Sequence, residues 1–191
     1  QQALSTADLV VYAGSLVPEA LLKWTRQDCR HLSSAGLHLD EMVSTMADAW
    51  QAGQKVVRLH TGDPSLYGAI FEQMAKLSHR NIPYTVIPGV TAAFAAAAAL
   101  GVEYTLPEVS QTLILTRLAG KTPVPETESL ASLAAHRATM AIYLSMSMVD
   151  EMTRILSKAY GPKGACAVVY RASQPDQKIL WTTTGELAAT V

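Results

Sequence analysis

The sequence predicts an α/β protein of two small domains, with a parallel sheet in the N-terminal domain and a mixed sheet in the C-terminal domain. Two observations support this fold class. Short apolar segments rich in branched residues alternate with longer segments whose apolar residues recur at helical spacing, as in parallel βαβ units. The last two apolar segments are joined by residues 173–178 alone, too short a connection for a helix, so we expect that pair to be antiparallel.

The elements of the first half follow one another in regular alternation. Prolines and glycines bound several of the helices, and branched residues mark the strands. In chain order we expect the end of a helix, a strand at 9–12, a helix that starts at Pro18, a helix at 39–52, a strand at 56–59, a helix carrying Phe71 and Met74, a strand at 84–87, and an alanine-rich helix after Thr91.

A proline and several polar residues interrupt this pattern between residues 106 and 110. We therefore predict domains of residues 1–110 and 111–191. The second domain is expected to contain a strand at 112–116, a loop at 120–125, a helix at 126–135, a strand at 140–144, a helix at 149–159, and strands at 165–170 and 179–184.

The composition excludes several classes of function. Fifteen basic residues stand against sixteen acidic ones, so the basic surplus of a nucleic-acid-binding protein is missing. The longest alanine-rich stretch is too short to span a bilayer, and the first residues lack the pattern of a secretion signal. Cys29 and Cys166 match no metal or redox spacing. We expect a soluble cytoplasmic protein with no metal centre, no nucleic-acid partner and no membrane partner.

In an open α/β sheet, ligands bind beyond the carboxyl ends of the strands, so the residues that follow each predicted strand are the candidates for a site. The strand at 56–59 leads into His60-Thr61-Gly62-Asp63-Pro64. Gly62 allows a ligand to approach the backbone closely, and Asp63 could accept hydrogen bonds from an amine or hydroxyl. A tight turn in which Asp63 caps the following helix is an equally good interpretation.

The predicted strand at 84–87 leads into Pro88-Gly89-Val90-Thr91-Ala92. Thr91 stands where the N-terminus of a helix offers free amide groups to a ligand, although an ordinary helix cap has the same pattern. In the second domain, Arg117, Lys121 and Arg171 are candidate partners for carboxylates, whereas most single surface arginines have no such role. No pattern typical of a catalytic nucleophile occurs, which suits a reaction whose reactive group comes from a cofactor.

Together, residues 56–68 and 88–92 resemble the second signature of the tetrapyrrole methylase family. Further segments narrow this resemblance to the members that methylate carbon 11 of a corrin precursor. These segments are Tyr12-Ala13-Gly14-Ser15-Leu16-Val17, Ala35-Gly36-Leu37-His38-Leu39, Gln111-Thr112-Leu113-Ile114-Leu115-Thr116-Arg117, Gly120-Lys121-Thr122-Pro123-Val124-Pro125-Glu126, Val169-Tyr170-Arg171-Ala172 and Trp181-Thr182-Thr183.

The resemblance implies a homodimeric enzyme that transfers a methyl group from S-adenosylmethionine to carbon 11 of precorrin-4, with or without cobalt. It places the donor in the cleft between the two domains. The implied donor contacts are Thr61, Gly62, Asp63, Leu66, Tyr67, Thr91, Ala92, Leu144, Ser145, Tyr170, Arg171, Ala172 and Thr183. For the tetrapyrrole we expect contacts from Arg117, Lys121 and His38.

Two alternatives stay open at the level of sequence. The first is a methylase of another substrate, such as uroporphyrinogen III, a ribosomal RNA or diphthamine, and the near-neutral charge disfavours RNA. The second is a non-catalytic module that binds a nucleotide in the same place. The family's first strand and its Gly/Pro-rich loop precede residue 1 of this sequence, so we also expect a neighbouring strand with an unpaired edge.

Overall fold

A computed structural model describes residues 1–14 and 17–191 and confirms the α/β class. Ser15 and Leu16, which belong to one of the resembling segments, lie outside the described residues. Contacts divide the chain into two compact units, Gln1–Ala92 and Ala93–Val191. The first unit contains α1 (Gln2–Ser5), β1 (Leu9–Tyr12), a 3₁₀ helix (Glu19–Trp24), β2 (Arg30–Ser33), α2 (Leu39–Gln51), β3 (Val56–Leu59) and α3 (Phe71–His79).

The core of the first unit is built on β1, the central strand of a parallel sheet with the order β2-β1-β3. Leu9, Val10 and Val11 are fully buried, as expected for a parallel strand covered on both faces. Leu9 and Val11 pack on the apolar side of α2, which includes Val43, and Val10 packs on the opposite face against Leu4. Alternate residues of one strand thus hold both layers of the unit together.

Two strand assignments differ from the sequence-based expectation. β2 was not expected because three of its four residues are polar and Leu32 alone is apolar, yet its backbone pairs with β1 in the register Arg30↔Leu9. Conversely, residues 84–87 form no strand, and Tyr84, Val86 and Ile87 are exposed. Within the described residues β3 pairs with β1 alone, so its other edge is open. A segment of high β-propensity becomes a strand only where a neighbouring strand supplies hydrogen-bond partners.

The second unit holds two separate strand pairs, whereas we expected a single mixed sheet. β4 and β5 are parallel, and β6 and β7 are antiparallel as predicted. Its core gathers Leu118, Leu130, Met152, Leu156 and Leu187. Helix α4 (Ala92–Leu100) begins with the last residue of the first unit and continues in the second. The other elements of the second unit are β4 (Leu113–Arg117), a 3₁₀ helix (Glu126–Glu128), α5 (Leu130–Ala134), β5 (Thr139–Tyr143), a 3₁₀ helix (Met146–Met148), α6 (Val149–Tyr160), β6 (Ala165–Tyr170), β7 (Lys178–Thr183) and α7 (Leu187–Thr190).

The contacts group α4 with the second unit, whereas we expected a boundary near residue 110. Polar contacts of the segment that follows the helix explain this grouping. The Tyr104 hydroxyl donates to the Ala93 carbonyl at 2.6 Å, and the Thr139 hydroxyl donates to the Tyr104 carbonyl at 2.8 Å.

No helix within residues 1–14 and 17–191 is long and apolar enough to cross a membrane.

Two basic side chains stand at the carboxyl end of the parallel sheet. The Arg58 guanidinium is largely buried, and its Nη1 donates to the carbonyls of Val11 at 3.1 Å and Leu59 at 3.3 Å. His60 follows β3 directly. Burial, and next the positive charge of Arg58, lower the pKa of His60 from 6.5 to about 4. The imidazole is therefore neutral at physiological pH.

This environment makes stability depend on pH. Below its unperturbed pKa of 6.5 the ring of His60 takes up a proton in the unfolded chain, but in the folded chain only near pH 4. Stability should therefore be lost as the pH falls through that interval. Because the ring is only about half-buried, we expect His60→Gln to remove about 1–2 kcal/mol of this loss, measured by urea unfolding between about pH 7 and about pH 4.5.

His79→Gln is the matched control, since His79 is exposed in the last turn of α3. It should keep the pH dependence of the wild-type protein. Parallel stability curves for the wild type and His60→Gln would contradict the assignment.

Candidate functional site

The two turns singled out in the first half of the sequence lie against each other. The Asp63 carboxylate accepts one hydrogen bond from the Ser65 amide at 2.8 Å and another from the Gly89 amide at 2.9 Å. Gly89 lies so close that a Cβ atom on it would be 2.1 Å from the Gly62 carbonyl oxygen. The turn after β3 and the turn before α4 therefore form one continuous surface of backbone.

Gly62 has a specific conformational role in this surface. Its φ of +65° lies in the left-handed region, where an L side chain is strained. A Cβ atom here would be 3.7 Å from both the Thr91 Cα and the Val90 carbonyl oxygen. A branched side chain at this position would consequently extend over the start of α4, where Thr91 is half-buried and Ala92 is exposed.

The carboxylate of Asp63 is stabilised in its charged form. The pKa of Asp63 is lowered from its ordinary value by the hydrogen bond from the Gly89 amide and next by that from the Ser65 amide. The Ser65 side chain also hydrogen-bonds this carboxylate, but its two oxygens together offer about four acceptor sites, so acceptor capacity remains. Asp63 can thus fasten the turn and also accept a hydrogen bond from a ligand, which combines the two interpretations left open by the sequence.

Three of the residues expected to contact a methyl donor have left-handed backbone conformations that are unusual outside glycine. Their φ angles are 56° at Tyr67, 54° at Leu144 and 48° at Arg171. Leu144 is also 75% exposed, a poor position for a large apolar side chain unless something covers it. Such strain is concentrated at binding sites in proteins, which makes these turns functional candidates independently of their sequence motifs.

In the second unit, Ser145 joins the carboxyl ends of β4 and β5. Its hydroxyl is buried, donates to the Tyr143 carbonyl at 2.6 Å and accepts from the Leu118 amide at 2.9 Å. The strand ends that carry Arg117 and Leu144 are therefore held side by side. The two expected groups of contacts in this unit, one for the donor and one for the substrate, meet at this edge.

Arg117 uses its guanidinium to organise the loop that follows β4. Nη1 donates to the carbonyls of Leu118 at 3.3 Å and Thr122 at 3.1 Å, and Nη2 donates to that of Pro123 at 3.2 Å. Lys121 stands exposed in the same loop. Arg117 thus positions the loop, and Lys121 is the more accessible cation for a carboxylate.

Other expected contacts are distributed more widely. Tyr170, Arg171 and Ala172 lie where β6 ends, and the Arg171 guanidinium contacts the side chains of Gln174 and Asp176. Thr183 lies at the opposite end of this pair, because antiparallel pairing places it beside Ala165 and places Tyr170 beside Lys178. The structure does not bring these two groups together.

His38 lies outside the turns and strand ends described above, and its backbone amide donates to the Glu41 carboxylate at 2.9 Å at the start of α2.

Tyr143 was not among the residues predicted from the sequence. Its hydroxyl oxygen accepts a hydrogen bond from the Ala93 amide at 2.8 Å. Its position, the last residue of β5 and immediately before Leu144, was the available signal.

Comparison with protein families gives a match over residues 1–188 to the tetrapyrrole (corrin/porphyrin) methylases. A protein of Methanocaldococcus jannaschii named cobalt-precorrin-4 C(11)-methyltransferase is 48% identical, with all of this chain and 74% of that protein covered. A Pseudomonas aeruginosa protein named precorrin-4 C(11)-methyltransferase is also 48% identical, over 98% of this chain and 74% of its own length.

Solved structures agree with these relatives. A cobalt precorrin-4 methyltransferase of cobalamin biosynthesis superposes with a TM-score of 0.94 at 44% identity, covering 98% of this chain and 79% of that one. A uroporphyrin-III C-methyltransferase of Thermus thermophilus, solved with S-adenosylhomocysteine, has a TM-score of 0.79 at 22% identity and covers 98% and 81% of the two chains. The family resemblance found in the sequence is confirmed, and this chain belongs to the tetrapyrrole (corrin/porphyrin) methylases.

Proposed function

We propose that this chain transfers a methyl group to carbon 11 of precorrin-4, or of its cobalt complex, in cobalamin biosynthesis. The observation that carries the proposal is the 48% identity, over the whole chain, to a relative named for this reaction. A second relative at the same identity is named for the cobalt-free substrate. Both substrates share the macrocycle and its carbon 11, so the proposed recognition concerns the ring and not the metal.

We propose S-adenosylmethionine as the methyl donor, which when bound supplies a methyl group activated by its sulfonium charge. The paired turns of the first unit have the chemistry that such a molecule requires. Asp63 retains acceptor capacity for an amine or hydroxyl, and the backbone around Gly62 is open to close approach. Thr91 and Ala92 lie at the start of α4, where the first amides have no acceptor within the helix, and among these amides that of Ala93 donates to the Tyr143 hydroxyl. Leu66 and Tyr67 complete the proposed contacts of this unit.

The second unit is proposed to contribute donor contacts from the turns that follow its strands. Leu144 has the exposed, strained backbone expected of a residue that presents a fixed surface to a ligand. The buried hydroxyl of the next residue, Ser145, hydrogen-bonds the backbone of Tyr143 and Leu118 and so holds this turn in place. The other proposed contacts in this unit are Tyr170, Arg171, Ala172 and Thr183. Methyl transfer needs no covalent enzyme intermediate, so the task of all these residues is to orient the reactants.

For the macrocycle we propose contacts from cations, because corrin precursors carry acetate and propionate groups around an apolar ring. Lys121 is exposed at the end of β4, and Arg117 holds the carbonyls of its loop. Within the described residues Arg117 bonds only through Nη1 and Nη2, so its Nε is a further donor for a ligand. His38 is kept as a further candidate.

We also propose that the protein is a homodimer of the cytoplasm. Apolar side chains such as Phe71, Ile87 and Val90 are more than 60% exposed, and surfaces of this kind commonly pack against another polypeptide. Cys29 and Cys166 are free thiols, which suits a reducing compartment.

The direct test is methyl transfer in vitro. With S-adenosylmethionine labelled on its methyl group, the chain should convert precorrin-4 into a product heavier by one methyl group, located at carbon 11 by NMR. Uroporphyrinogen III serves as the competing substrate and should not be methylated. Methylation of uroporphyrinogen alone would replace the proposed substrate, and donor binding without transfer to either would favour a binding module.

Gly62→Val tests the donor contact of the first turn. The new side chain should extend over the start of α4 and raise the Kd for S-adenosylhomocysteine at least about tenfold, measured by calorimetry. Left-handed strain should also lower the free energy of unfolding by roughly 1–2 kcal/mol.

The control is Gly53→Val, because Gly53 has a similar φ of +78° but no atom within 4 Å of a Cβ position. It should show the same loss of stability and unchanged donor affinity. Equal affinity losses in both variants would mean that the effect of Gly62→Val is strain alone.

Arg117→Ala tests the cation proposal. The variant lacks the guanidinium and the loop conformation that it stabilises, so KM for the tetrapyrrole should rise by the equivalent of about 1.5–3 kcal/mol of binding free energy. The donor affinity should stay unchanged. Arg117→Lys should recover only part, because an ammonium lacks the planar fork that reaches several carbonyls. Arg154→Ala, at an exposed position of α6, is the control. Unchanged tetrapyrrole kinetics in Arg117→Ala would remove Arg117 from the site.

A further inference from the structure

Two tyrosine hydroxyls of the second unit bind the backbone of a single residue, Ala93, at the start of α4. The Tyr143 hydroxyl accepts from the Ala93 amide at 2.8 Å, and the Tyr104 hydroxyl donates to the Ala93 carbonyl at 2.6 Å. Ala93 is 4% exposed, so water cannot substitute for either bond. Its amide is one of the first four in the helix, which have no acceptor within the helix itself.

The composition of α4 explains why such an anchor matters. Apart from Phe94 and Leu100, the helix consists of alanines. Methyl groups pack closely, but they offer no shape or hydrogen bond that fixes the rotation or axial position of a helix on its neighbours. The two phenols supply that specificity, because their hydrogen bonds to Ala93 form at one position of the helix only.

Both tyrosines are themselves held by β5. Tyr143 is the last residue of that strand, and its carbonyl accepts from the buried hydroxyl of Ser145. The carbonyl of Tyr104 accepts a hydrogen bond from the hydroxyl of Thr139, the first residue of β5. The centres of the Tyr104 and Phe94 rings lie 6.4 Å apart. Burial, and next the nearby Tyr143, raise the pKa of Tyr104, so its hydroxyl stays protonated and able to donate.

We propose that Tyr143 is a positioning residue for donor binding, which holds the first turn of α4 at the carboxyl end of β5. This inference rests on the proposed function, because it assumes that the amides at the start of α4 and the Leu144-Ser145 segment contact the methyl donor. The phenol of Tyr143 belongs to neither contact. It acts by holding Ala93, the second residue of α4, beside the last residue of β5.

Tyr143→Phe removes the hydroxyl oxygen and leaves the ring. In the full chain it should raise the Kd for S-adenosylhomocysteine and the KM for S-adenosylmethionine about five- to tenfold, because the Ala93 amide loses the acceptor that holds it in place. The KM for the tetrapyrrole should stay unchanged. Hydrogen exchange at the Ala93 amide should be faster in the variant, which reports the loss of the anchor without reference to activity.

Tyr160→Phe is the matched control. The Tyr160 hydroxyl donates to the Ala138 carbonyl at 2.6 Å in the same unit, away from α4. It should lower the melting temperature about as much as Tyr143→Phe and leave donor affinity at the wild-type value. Equal donor affinity in Tyr143→Phe and the wild type, or equal losses in Tyr143→Phe and Tyr160→Phe, would overturn the inference.

Tyr104→Phe provides a second variant, should Tyr143→Phe fail to fold. It releases the Ala93 carbonyl from the other phenol, and we expect donor affinity about two- to fivefold weaker. Unchanged affinity in this variant would then overturn the inference. A wild-type chain that does not bind S-adenosylhomocysteine would instead overturn the proposed function, and this inference with it.

Discussion

The candidate site of the first unit depends on the pair of hydrogen bonds that the Asp63 carboxylate accepts from Ser65 and Gly89. In most parallel sheets, the turns that follow strands are aligned by the ladders of those strands. Here the segment before Gly89 belongs to no strand, so a ladder does not align it. The charged carboxylate, together with the close approach of Gly89 to the Gly62 carbonyl, brings the two turns together instead. A charge-assisted bond is strong enough for that task.

Apolar burial and polar function occupy different parts of the parallel sheet. The middle of β1 is fully buried on both faces, and this burial stabilises the unit. At the carboxyl end of the sheet, the Arg58 guanidinium is buried beside the neutral ring of His60. The Nε atom of Arg58 has no hydrogen-bond partner within the described residues. An unsatisfied buried donor costs about 1–3 kcal/mol. The buried apolar core of the unit offsets this cost.

The second unit positions its candidate residues by side chains that bind backbone. Ser145 joins two strand ends, Arg117 gathers the carbonyls of one loop, and two phenols hold Ala93. None of these groups needs to touch a ligand in order to affect binding. Each of them fixes the backbone of a different segment, and Ser145 does so next to Leu144, where the backbone is strained. Orientation by a rigid frame is what a methyl transfer without a covalent intermediate requires.

Most elements and both turns of the first unit are predictable from the sequence, because periodicity and the chemistry of glycine, proline and aspartate act over a few residues. The pairing of the segments, in contrast, depends on contacts between residues distant in the sequence. Polar residues of β2 became a strand, apolar residues 84–87 did not, and antiparallel pairing separated Thr183 from Tyr170. The hydrogen-bond partners of Arg117 and Tyr143 likewise could not be predicted from the sequence. A strand edge or a long polar side chain takes its hydrogen-bond partners from residues that folding brings near, and local sequence does not specify them.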